Sequence, residues 1–89
     1  MKNHLVFCCN YNCLVYWRDY IIATAGHFPK FERRGEDIIF ADDRYLFFTN
    51  INDHLERLMG ITARDYRVCD RYALSGKTRD MLAAMRRET

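Results

Sequence analysis

Residues that break or loosen a chain are scarce here: among 89 residues there is one Pro, at position 29, and there are four Gly. With no Ser/Gly-rich run, repeat or low-complexity tract, the chain has no room for a linker. A chain this short also buries too little surface to build two cores. One domain over residues 1–89 is the expectation. A large excess of one charge is missing as well. Fourteen Lys and Arg stand against twelve Asp and Glu, a formal net charge of +2, which does not in itself demand a polyanionic partner. Long apolar runs are absent. No stretch reaches the ~20 residues that cross a bilayer, and the run that follows Lys2 is too short for a secretory signal core. The sequence therefore predicts no membrane partner and a cytoplasmic location.

Hydrophobic residues, by contrast, make up 49% of the chain and aromatics 15%, with six Tyr and six Phe. That is enough for a packed core and argues against disorder. Three of the four cysteines, Cys8, Cys9 and Cys13, lie in one apolar stretch and Cys69 stands far away. Neighbouring residues on a strand point to opposite faces, so these read as reduced core thiols rather than as paired disulfides.

The periodicity predicts an α/β fold. Leu5 to Cys9 is a continuous apolar run, the mark of a strand buried on both faces in a parallel sheet. Asn10 or Asn12 offers a cap for a helix from Cys13 to Ala25, with Leu14, Trp17, Ile21 and Ala25 at helical spacing and Tyr16, Tyr20 and Ile22 widening that apolar face. Gly26 supplies its stop. His27 to Glu36 reads as a surface connection with a short extended piece around Phe31. Asp37–Ala41 and Tyr45–Thr49 form a hairpin turned at Asp42, Asp43 and Arg44. Asn50 or Asn52 caps a short helix, Asp53 to Met59, closed by Gly60. Tyr66 to Cys69 is a strand, and a last helix starts at Ser75, turns Met81, Leu82 and Met85 inward, and ends on Arg86 and Arg87. The order β-α-β-β-α-β-α implies a small, mostly parallel sheet containing one β-hairpin, with the helices packed on it.

No set of residues assembles a catalytic site. Ser75-Gly76-Lys77-Thr78 lies between a strand and a helix, as a phosphate-binding loop would. The first glycine of such a loop falls on Arg71, however, and bulky Tyr72 and Leu74 follow, so the backbone cannot curl its amides round a phosphate. Ser75 reads as a helix cap and Lys77 as a surface residue. Zinc needs a closer ligand pattern than Cys8, Cys9, Cys13 and Cys69 give, although Cys9 and Cys13 near a strand end can approach Cys69 on a neighbouring strand. No metal and no cofactor is assigned. A nucleophilic pair of Cys13 with His27 or His54 lacks an oxyanion-hole signature. The chain reads as a non-enzyme.

Two stretches carry a resemblance to known proteins. Asp37 to Ala73, a hairpin, a Leu-rich helix ending in Gly and a strand ending in Asp70-Arg71-Tyr72-Ala73, resembles the middle of the ATPase domain of phage large terminases and related helicases. That resemblance implies Asp70 at the magnesium-associated carboxylate, but Arg71 stands where the catalytic Glu would be, which implies an inactive relic. Val6 to Tyr20, with Asn10-Tyr11 and Tyr16-Trp17, is similar to short uncharacterised phage proteins.

Function is expected to be binding. The first reading is a protein-binding accessory factor, a phage-encoded inhibitor of a host system acting in the host cytoplasm, with Tyr11, Tyr16, Trp17, Phe28, Arg33 and Arg34 at its interface. Homodimerisation uses the same aromatics. The second is a small nucleic-acid-binding module built on Arg64, Arg67, Arg71, Lys77 and Arg79. A third is a nucleotide-phosphate binder using the Gly76-Lys77-Thr78 turn.

Overall fold

The computed structural model of the chain describes residues 2–25, 29–31 and 37–85. Phe28, Arg33 and Arg34, and with them Gly26, His27, Arg86 and Arg87, lie outside the described residues. The central strand is β1 (Lys2–Cys8), paired in parallel on one side with β4 (Asp43–Thr49) and on the other with β5 (Asp65–Val68). Leu5 faces Leu46 and Phe7 faces Phe48 in one ladder, and Phe7 faces Val68 in the other. Where a strand is hemmed in on both edges and both faces it has to be apolar. Leu5, Val6, Phe7 and Cys8 are accordingly all buried.

The α/β class is as expected, but the sheet is mixed rather than mostly parallel. Its order is β2-β3-β4-β1-β5, where β2 (Lys30–Phe31) and β3 (Ile38–Phe40) add antiparallel neighbours on the β4 side. The expected hairpin is β3–β4, turned at Ala41 and Asp42 rather than at Asp42 to Arg44, since Asp43 and Arg44 already pair with Phe40 and Ile39. The short extended piece around Phe31 is β2, which extends the antiparallel half.

Two helices, not three, cover this sheet among the described residues. On one face α1 (Tyr11–Ala25) packs Leu14 and Ile21 against Val6, Cys8, Ile38, Phe40 and Phe47. On the other, α2 (Gly76–Met85) brings Leu82 onto Leu5, Phe7, Leu46 and Phe48. The expected middle helix is instead a pair of 3-10 turns, Ile51–Asp53 and Leu55–Leu58. His54 separates them at φ −139°, outside any helix, and seven residues offer too few hydrogen bonds to repay helix nucleation. Ile51 and Leu58 still reach the core, and Gly60 closes the segment at φ +81°, where only glycine sits without strain.

Neither Asn50 nor Asn52 caps this segment with its side chain. Asn52 reaches across to α2: its Oδ1 accepts the Ser75 N–H (2.9 Å) and the Thr78 hydroxyl (2.8 Å), and its Nδ2 donates to the Ala73 carbonyl (2.8 Å). Ser75 caps α2 as expected, its Oγ accepting the Thr78 N–H. Along α1 the outer rings depart from the sequence reading. Tyr16 and Tyr20 do not widen the buried face but stand 67% and 50% exposed. No helix among the described residues is long and apolar enough to cross a membrane.

Candidate functional site

The carboxyl ends of β1 and β5 lie side by side, yet the chain leaves them in opposite directions. After β1 it turns through Cys9 and Asn10 into α1 on one face. After β5 it turns through Cys69, Asp70 and Arg71 towards α2 on the other. Divergent connections at neighbouring parallel strands open a crevice at their carboxyl ends, the usual ligand position of an α/β sheet. A cleft of about 560 Å³ opens there, lined by Cys9, Cys13, Trp17, Cys69, Asp70 and Arg71 among others.

Hydrogen bonds from their own backbone N–H groups place Cys13 and Cys69. Asn10 is the cap of α1, and its Oδ1 accepts the N–H of Cys13 at 2.9 Å, which holds Cys13 in the first turn. The Cys69 N–H donates to the Phe7 carbonyl at 2.9 Å, extending the β1–β5 ladder by one bond. Cys9 follows directly on β1. The three sulfurs consequently all lie within 4.8 Å of one another. Cys9 and Cys13 are half-buried lining residues rather than core thiols, whereas Cys8 and Cys69 are buried as expected. All four are free.

The thiols are not equivalent. Burial pushes Cys8 up, and hydrogen bonding with Cys13 adds to it. Cys9 is raised too, first by desolvation and then by its hydrogen bonds with Cys69 and Cys13. Burial also acts to raise Cys69, but the Arg71 backbone N–H and the Cys13 and Cys9 thiols donate to its sulfur and together bring it below the usual thiol range. Of the three thiols in the triad, Cys69 is the one its neighbours act to lower.

The chain matches no family model, no curated protein and no solved structure.

A second polar cluster lies at the opposite end of β1. The His4 ring faces Asp43 Oδ1 with Nε2 at 2.9 Å and Asp65 Oδ1 with Nδ1 at 2.8 Å, and stacks on Tyr45 with ring centres 4.6 Å apart. Sequence reasoning missed it because the three residues meet only once the strand order β4-β1-β5 is known.

The residues singled out for binding are scattered. Tyr11 is 58% exposed at the start of α1, and Trp17 is half-buried between the cleft and the outer rings. Arg64, Arg67 and Arg71 are exposed along and beyond β5: Arg67 lies beside Tyr20 and Tyr45, and Arg71 in the thiol cleft. Lys77 and Arg79 are exposed on α2, which covers the other face, so the five cations do not form one continuous patch. Thr78 of the Gly76-Lys77-Thr78 turn is fully buried, with its hydroxyl engaged by Asn52 and Ser75. Asp70 lines the cleft beside Arg71. His54 sits between the two 3-10 turns, 3.6 Å from Glu56, and is not among the residues lining the thiol cleft.

Proposed function

We propose that this chain is a non-enzymatic accessory protein that binds another protein through the outer side of α1. The observation that carries the reading is the aromatic ridge there. Tyr16 meets Trp17 edge-on at 6.4 Å and Trp17 meets Tyr20 edge-on at 6.1 Å, while both tyrosines remain half exposed or more. Rings already packed edge-on lose little freedom on binding and offer large amphipathic area, the traits of residues that dominate protein interfaces. Similarity of Val6 to Tyr20 to short phage proteins makes a component of a bacterial host the partner class to test first.

The test uses the tagged chain in host lysate, beside a Tyr16→Ala/Tyr20→Ala variant whose substitutions fall on exposed rings and whose melting curve is measured beside the parent's. Stoichiometric capture of one protein by the parent, lost in the variant, supports the reading, and a complex of two copies of the chain supports it in its homodimeric form. Equal capture by both overturns it. Retention of nucleic acid in place of protein, weakening steeply with salt and lost in Arg64, Arg67 and Arg71 variants, replaces it with the basic-patch reading.

A further inference from the structure

We propose that Cys9, Cys13 and Cys69 form a binding site for one thiophilic d10 cation, zinc(II) or copper(I). The triad joins three separate elements: the end of β1, the first turn of α1 and the end of β5. Its sulfurs already lie within 4.8 Å of one another. A cation bonded to three thiolates at about 2.3 Å needs sulfurs about 3.8–4.0 Å apart, so the site closes by side-chain shifts of less than about 1 Å each. A disulfide, at about 2.05 Å between sulfurs, requires a much larger contraction and leaves the third thiol out.

Ligand softness selects the cation class. Three thiolates favour copper(I) and zinc(II) over magnesium or calcium, which take oxygen donors. Copper(I) is satisfied by the three sulfurs alone. Zinc(II) takes a fourth ligand, and the cleft supplies the space for a water and, in Asp70, a carboxylate on its wall. Three thiolates around zinc(II) leave one net negative charge, with the Arg71 side chain on the same wall to offset it. Cys8 is not one of the three: it is fully buried under α1 in the apolar cluster with Val6 and Leu14.

The experiment uses the whole chain, reduced and stripped of metal under anaerobic conditions. Cobalt(II) serves as the optical probe, zinc(II) by competition against it, and copper(I) against a chromophoric chelator. The expected result is one cation per chain, with a sulfur-to-cobalt charge-transfer band and a change in emission from Trp17, the single tryptophan, which lines the cleft. Serine at Cys9, Cys13 or Cys69 lowers affinity more than about 100-fold, beyond the loss typical of outer-sphere changes, while Cys8→Ala retains it. A zinc(II) preference assigns the tetrahedral form and a copper(I) preference the trigonal one. Both support the site. In the parent chain, where no folding defect intervenes, bound zinc(II) or copper(I) slows alkylation of Cys9, Cys13 and Cys69 together, read by mass spectrometry. The proposal is overturned if neither cation binds one-to-one, if alkylation is unchanged, or if Cys69→Ser binds as tightly as the parent.

Discussion

His4 ties three strands together with one side chain. Its two ring nitrogens lie at hydrogen-bond distance from carboxylates on β4 and β5, 2.9 Å from Asp43 and 2.8 Å from Asp65. Asp43 registers the consequence. Its carboxyl is held below the ordinary carboxylate range, chiefly by the His4 hydrogen bond, with slight burial opposing and the charges of His4, Lys2 and Arg64 adding to it. A carboxyl whose folded pKa is depressed stabilises the fold at pH values above its unfolded value of about 3.9. That contribution disappears as pH falls through the folded value. Asp43→Asn should therefore cost about 1 kcal/mol at neutral pH, and no more, because the Asp43 side chain is 43% exposed and water screens the pair. The gap between parent and variant closes as pH falls below the ordinary carboxylate range. Urea midpoints of both proteins across pH check this, and a gap that stays constant or widens in acid contradicts it.

Elements were legible in proportion to their length and periodicity. The 15 residues of α1 carry Leu14 and Ile21 on one face, two turns apart, and the apolar block Leu5 to Cys8 could only be a covered strand. The segment after β4 misled because Leu55 and Leu58 are spaced as on a helix. That spacing is shared by consecutive 3-10 turns, and only the break at His54 separates the two. Outer rings were misjudged for a similar reason, since Tyr suits either side of a helix and composition does not say which side meets the sheet. The sequence left the cap of α1 open between Asn10 and Asn12 with a helix from Cys13; the helix starts at Tyr11, and Asn10 is the cap and does two jobs. Asn10 satisfies the Cys13 N–H and so fixes both the helix start and the position of one thiol. Asn10→Ala should cost about 1 kcal/mol, measured by urea unfolding, and Asn10→Asp or Ser should recover most of it. If Ala is neutral, the cap does not hold the first turn.

At the level of the whole molecule, the thiol cleft exists because of strand order. Cys69 is 56 residues beyond Cys13 in the chain, and the parallel pairing of β5 against β1 brings them together. Nothing in the spacing of the cysteines encodes that pairing, which depends on β4 and β5 flanking β1. A cation held by the triad would clamp the end of β1 to α1 and β5, coupling the α1 layer to the edge of the sheet. Anything that binds the folded chain and not the unfolded one adds stability by mass action, about 2.7 kcal/mol at a free concentration 100-fold above Kd. For a domain of this size about 1 kcal/mol moves the melting temperature by roughly 4–8 °C. Zinc(II) at that concentration should then raise Tm by about 10–20 °C, a chelator should reverse the rise, and Cys69→Ser should abolish it while Cys8→Ala preserves it. A Tm that ignores zinc in the parent would mean the three sulfurs share a cleft without sharing an ion. An equal rise in Cys69→Ser would place the zinc elsewhere on the chain.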